Sequence, residues 1–257
     1  MQEILKVSSI KKTFLKDGES NTVINDVSFT VKKGQCVGIV GESGCGKSTT
    51  VRVILGLLNF DEGEIILSGN KLSPQNKIRL KEIQGKIQMV FQMPTESFNP
   101  RIKLGKSIKE AMKKILTSEE KEVKLKKLFE ECQLSYDLAD RYPKEVSGGQ
   151  CQRAAIARAL ASDPQLLICD EATSALDVTV QCKVIGELMN LRKKFGTTII
   201  IVSHNMGVIS LMTDKALVMK DGKCVEQNLT ENIFNYPTMT YTKELINAMP
   251  KLRKKVV

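Results

Sequence analysis

The run Gly41–Thr49, GESGCGKST, constrains this chain more than any other stretch. It follows an apolar, strand-length segment, Cys36–Val40, and precedes a pattern that predicts a helix over Ser48–Leu58. Strand, glycine-rich loop and helix in that order are the context a phosphate-binding loop requires. Without side chains in the way, the N–H groups of Gly41, Glu42, Ser43, Gly44, Cys45 and Gly46 can converge on phosphate oxygens. The helix beginning near Lys47 adds the positive end of its dipole. Lys47 is then placed to reach the β- and γ-phosphates of ATP, and the Ser48 hydroxyl to ligate Mg²⁺, with Thr49 closing the loop.

A second constellation lies about a hundred residues on. Leu166-Leu167-Ile168-Cys169-Asp170-Glu171 sets two carboxylates at the end of an apolar strand, where open α/β sheets bind ligands. Asp170 suits an outer Mg²⁺ ligand. Glu171 points the other way by strand alternation, so it can serve as base toward a water in line with the γ-phosphate. His204 follows another core-strand pattern, Thr198–Val202, and in this neighbourhood contact with the γ-phosphate outweighs a structural role. Ser147, Gly148, Gly149 and Gln150 open a helix, with serine as a natural N-cap and glycines leaving backbone donors bare. Two phosphate-binding tips with one set of catalytic acids imply that each tip closes over a second subunit's nucleotide.

The rest of the pattern is α/β with an insertion. Strands are expected at Ile4–Val7, through Val27, Phe29 and Val31, at Ile65–Leu67 and at Ile87–Gln92, with a hairpin around Asp221-Gly222. Leu104–Leu116 reads as helix. Thr117 to Glu120 has capping-box spacing, after which Leu125, Leu128, Phe129 and Cys132 share one helical face. A helix striped by Val180, Val184, Leu188 and Leu191 is expected to stop at Gly196. The expected organisation is a single domain over 1–257. A nucleotide-binding core of 1–93 and 148–230 is interrupted by a helical subdomain, 94–147, and followed by a helical tail, 231–257.

Composition excludes several other classes. Charged residues make up 26% and hydrophobic residues 42% of 257, an ordinary globular balance. No apolar run approaches the ~20 residues of a membrane span, and no signal-peptide core opens the chain, so a cytosolic location is expected. Seven scattered cysteines without a C-x-x-C fit a reducing compartment. A single histidine excludes a His-rich metal centre. The net charge of +10 is spread thinly, with 5% aromatics and no Trp for base stacking. It reads as a solvated basic surface suited to anionic lipid rather than to nucleic acid.

In order along the chain, GESGCGKST, Gln92, SGGQCQR, LLICDEATSALD and His204 resemble the ATP-binding cassette (ABC) proteins over nearly the whole length. The resemblance implies a P-loop NTPase core: a RecA-like parallel sheet with an antiparallel N-terminal β-subdomain, interrupted by an α-helical subdomain. It implies that Ser147 and Gly149 contact ATP held by the opposite subunit. It further implies that Gln92 senses Mg²⁺ and the attacking water, that Asp177 lies between the two sites, and that Phe14 stacks on adenine. The helical lobe would dock transmembrane permease subunits at the cytoplasmic face of the membrane.

Ile87–Arg101 and Asn235–Pro250 are similar to segments of the ATPase subunits of oligopeptide, dipeptide and nickel importers. This chain is similar to the second, shorter subunit of those systems. The expected partners are a second ATPase subunit (a heterodimer, with a homodimer possible), two permeases and, indirectly, an extracytoplasmic solute-binding protein. The lack of a cysteine-rich extension tilts the resemblance toward the nickel or metal-complex branch. A soluble ABC ATPase acting on nucleic acid or the ribosome stands as the alternative, and a small-molecule kinase fits the signature tip and Glu171 poorly.

Overall fold

The computed structural model describes residues 2–16, 18–90, 97–113, 115–170, 189–190, 192–193 and 196–249. Its centre is a six-stranded sheet. The strands are β3 (Cys36–Val40), β6 (Ile87–Val90), β7 (Leu166–Asp170), β8 (Thr198–Ser203), β9 (Lys215–Lys220) and β10 (Lys223–Leu229), in the order β10-β9-β3-β8-β7-β6. All neighbours pair in parallel except β9 and β10, which form the expected hairpin.

Side-chain alternation along these strands divides the interior into two cores. Val37, Ile39, Ile168, Ile200 and Leu217 face one side, and Cys36, Leu167, Ile199, Ile201 and Val218 the other. All are buried. That is why the strands read as unbroken apolar runs, as in parallel sheets covered on both faces.

The first face is covered by helix α1 (Lys47–Ile54) and an antiparallel sheet of β1 (Glu3–Lys16), β2 (Glu19–Lys32), β4 (Glu62–Leu67) and β5 (Asn70–Lys71), in the order β2-β1-β4-β5. The β1–β2 hairpin is far longer than the apolar segments Ile4–Val7 and Val27–Val31 suggest. Its outer half is polar and held by cross-strand bonding and ion pairs: the Thr13 and Thr22 hydroxyls lie 3.0 Å apart, and Lys12 reaches Asp61 at 2.8 Å. Hydrophobic patterning is silent about such a segment.

The second face packs against α3 (Leu104–Glu110), α4 (Ser118–Glu131), α5 (Gly148–Leu160) and α6 (Met206–Met212). Helix α4 begins with the expected capping box. The Thr117 hydroxyl accepts the Glu120 N–H and the Glu120 carboxylate accepts the Thr117 N–H. Leu125, Leu128, Phe129 and Cys132 are all buried on its inner face. Helix α3 stops short of Leu116. The N–H groups of Ala111 and Met112 bond three residues back, to Ile108 and Lys109, tightening the chain before Thr117 takes up its extended cap geometry.

Helix α1 also ends early, at Ile54 rather than Leu58. Gly56 adopts φ +68°, its N–H donates to Val53 and the Leu57 N–H donates to Arg52. This is the Schellman closure that a left-handed glycine permits. Arg79, in α2 (Asn76–Ile83), is fully buried behind this end. Its Nε donates to the Val53 carbonyl at 3.0 Å, its two terminal nitrogens donate to Ser73 and Leu58 carbonyls, and it lies 4.9 Å over the Phe60 ring. Burial lowers its pKa to about 10, which leaves it charged at neutral pH. A cation thus completes the carboxyl end of the helix whose amino end opens the phosphate loop.

Most of the helix striped by Val180–Leu191 lies outside the described residues; 189–190 and 192–193 are helical, and Gly196 takes φ +60°. After β10 come α7 (Thr230–Asn235) and α8 (Thr240–Asn247). Among the described residues no helix is long and apolar enough to cross a membrane. Arg79→Met should lower stability by about 2–4 kcal/mol, because it strands buried carbonyls. Urea unfolding should show a reduced midpoint at unchanged slope.

Candidate functional site

The parallel strands bring their carboxyl ends to one edge. Val40 pairs with Ser203 and Asp170 with Val202, so the exits of β3, β8 and β7 are level. From these exits emerge the phosphate loop, His204 and Asp170, spread over neighbouring strands about 5 Å apart. Glu171, Gln92 and Asp177 lie outside the described residues.

The loop is a closed structure, not a slack turn. Gly46 takes φ +102°, and a Cβ there would meet the Val23 carbonyl of β2 at 2.7 Å. The turn of the β9–β10 hairpin also reaches it. The Gly222 N–H donates to the Cys45 carbonyl at 3.1 Å, while the Gly222 carbonyl accepts the Asn25 N–H at 2.8 Å. Lys47 is buried, and its Nζ donates to the Gly41 and Glu42 carbonyls at 2.8 and 2.7 Å. Thr50 closes the first helical turn, its N–H and hydroxyl both donating to Gly46. Ser48 and Thr49 are half-buried, and Glu42, Ser43 and Gly44 are exposed.

Helix α1 differs from α4 and α5 in one respect. No side chain caps it, whereas Thr117 and Ser147 cap the other two. The leading N–H groups of α1 have no intrahelical acceptor. Bare N–H groups at a helix start are the kind of donor that binds phosphate oxygens.

The Ser147 tip is built differently. Its hydroxyl accepts the Gln150 N–H and its own N–H donates to the Gln150 side-chain oxygen. Ser147 and Gly148 are exposed. Among the described residues, a Cβ added to Gly148 or Gly149 would meet nothing beyond its own helix within 4 Å. Neither glycine has the positive φ that would demand it. The described part of the chain therefore gives no reason for glycine here.

Phe14, in the outer part of the β1–β2 hairpin, is exposed, and Lys12 lies 5.4 Å over its ring. The oxygen donors Ser48 and Asp170 have the hard character Mg²⁺ prefers. Among the described residues no group of three or more His, Cys, Asp and Glu could hold a metal by itself. The cysteines Cys36, Cys45, Cys132, Cys151, Cys169 and Cys224 are free thiols. Burial, reinforced by the neighbouring Asp170, pushes Cys169 up to about 12, and burial pushes Cys151 up to about 11. Both are protonated thiols at neutral pH.

Residues 24–174 match the profile of the ABC transporter family. The chain belongs to that family. It is 40% identical over 95% of its length to the oligopeptide transport ATP-binding protein OppF of Haemophilus influenzae, covering 75% of that protein. It is 39% identical over 99% of its length to AppF of Bacillus subtilis, covering 80% of it. Among solved structures, cbiO1 from Clostridium perfringens, part of the ABC transporter complex cbiONQ, superposes with a TM-score of 0.81 at 26% identity, over 91% of each chain. A dimeric post-hydrolysis state of the ATP-binding cassette MJ0796, bound to ADP and Pi, superposes with a TM-score of 0.76 at 28% identity, covering 88% of this chain and 99% of that one.

This ABC chain is therefore an ATP-binding, ATP-hydrolysing cassette on the expected P-loop α/β fold. Sequence reasoning missed two groups that touch the loop: the hairpin glycine Gly222 and Tyr241 of α8, whose hydroxyl accepts the Glu42 N–H at 3.1 Å. Both reach it over long sequence separations, and only family-segment similarity around Tyr241 hinted at either. Lys47→Ala should weaken ATP binding roughly 10- to 100-fold, the loss of charge-assisted bonds, as a fluorescence titration with a labelled nucleotide would record. Gly46→Ala should cost about 1–3 kcal/mol of stability from backbone strain and weaken the same binding.

Proposed function

We propose that this chain is the ATPase subunit of a bacterial ABC importer for peptides, working as one of a pair of cassettes. The observation that carries the reading is the Ser147–Gly149 tip, whose glycines meet no described residue of this chain while nothing in their backbone geometry demands glycine. In the paired state Ser147, Gly148, Gly149 and Gln150 would close over ATP held by the other subunit's Gly41–Thr49. That arrangement supplies the missing reason for glycine: a phosphate needs the close approach that a side chain would block.

Within each site, Lys47 would hold the β- and γ-phosphates and Phe14 would stack on adenine. Ser48, Asp170 and Gln92 would hold Mg²⁺, which supplies charge neutralisation across the phosphates. Glu171 would accept a proton from the attacking water, and His204 would hold the γ-phosphate. Phosphoryl transfer of this kind needs position and charge compensation more than covalent help. ATP-driven closure would move two permease subunits between access states, with the 94–147 segment as their docking lobe. An extracytoplasmic binding protein would deliver cargo. The chain would then sit peripherally on the cytoplasmic face of the membrane, without nucleic acid as partner.

Peptide is the favoured cargo class because the OppF and AppF proteins, to which the chain is 35–40% identical, are oligopeptide transport ATP-binding proteins. Glu171→Gln should retain ATP, hydrolyse it about 10²–10⁴-fold more slowly and accumulate as a nucleotide-bound pair in size-exclusion chromatography. Cells lacking this chain should lose uptake of labelled short peptides while keeping nickel uptake. Loss of nickel uptake alone would reassign the cargo.

A further inference from the structure

The tail helix α8 touches the phosphate loop directly. Tyr241 is buried, its ring lies 4.7 Å from the Lys220 Nζ, and its hydroxyl accepts the Glu42 N–H at 3.1 Å. The carbonyl of that same peptide unit, Gly41, accepts from Lys47 Nζ at 2.8 Å. In a trans peptide the C=O and N–H point in opposite directions. One peptide plane is therefore gripped at both ends, by the loop's own ammonium on one side and by the tail's phenol on the other.

The phenol is held by a firmly seated segment. The Glu226 side chain of β10 accepts the N–H and hydroxyl of Thr238 at 2.8 Å each, and the Met239 N–H at 3.2 Å. Burial opposes ionisation of Glu226, but the donors of this turn outweigh it and hold its pKa below the usual carboxylate value. Thr242, next to Tyr241, is fully buried, and Leu245, Ile246 and Met249 pack against the core. Upstream, the Thr213 and Thr230 hydroxyls meet at 2.7 Å. Nothing in the chemistry of phosphate binding needs this connection, which joins residues 199 apart in sequence.

We propose that Tyr241 is a positioning residue for the nucleotide site: its hydroxyl fixes the Gly41–Glu42 peptide, so that Lys47 can turn to phosphate without the loop's entry strand relaxing. This rests on the reading of Gly41–Thr49 as the ATP cradle. By linkage, nucleotide bound in the cradle must tighten the tail as much as the tail tightens the cradle. The tail thereby becomes a place where anything that lifts α8 weakens ATP binding.

The test compares the full chain with Tyr241→Phe, which keeps the ring and removes only the hydroxyl. One hydrogen bond predicts a roughly 3- to 10-fold rise in the Kd for both ATP and ADP. In the unsubstituted chain, ATP should slow hydrogen exchange across residues 240–249; in Tyr241→Phe that protection should disappear, a response that a purely structural tyrosine would not alter. Thr238→Ala, which loosens the Glu226 anchor without touching the loop, should raise the Kd in the same direction. Tyr241→Phe binding ATP as tightly as the unsubstituted chain, with the tail still protected by nucleotide, would overturn the proposal. Lys47→Ala, measured alongside, separates the two ideas: if it too left binding intact, the cradle reading itself would fall, and this inference with it.

Discussion

The structure depends on burying both faces of a parallel sheet. Once apolar side chains alternate to the two sides, as Val37 and Ile39 do against Cys36 and Val40, neither face can host charged chemistry. The sheet's carboxyl edge is left as the place where polar groups can collect. Asp170, His204 and the loop entering α1 all appear there because their strands are level, not because they are near in sequence.

The phosphate loop is secured from outside itself. Val23 of β2 limits it on one side, Gly222 of the hairpin bonds it on another, and Tyr241 comes from the tail. Behind it, Arg79 completes the far end of α1. Each contact comes from a different region of the chain, so the loop's shape reports the integrity of the whole fold. The amino end of α1, by contrast, is left without a side-chain cap. The loop's hydrogen bonds hold its shape and leave the start of α1 without a side-chain partner.

Legibility in the sequence followed physical origin. The β3 strand, the Thr117 capping box and the β9–β10 hairpin were readable because strong local patterns encode them: an apolar run, a box with fixed spacing, an Asp-Gly turn. Helix ends were less so. The Ser48–Leu58 reading overran Ile54 because a left-handed glycine in a helical pattern looks like an ordinary interruption until the bonds from Gly56 to Val53 and from Leu57 to Arg52 are seen. The outer β1–β2 hairpin carries little hydrophobic signal and is held by polar pairing. Gly222 and Tyr241 were invisible as site residues, since tertiary contact over long separations leaves no spacing to read.

The bare glycines at Gly148 and Gly149 have a practical corollary. Because no described residue crowds them, a bulkier residue there should leave the isolated molecule's folding energetics almost untouched. Screens that rank variants by melting temperature or soluble yield would pass such proteins as sound. The damage would surface only where another molecule has to come close.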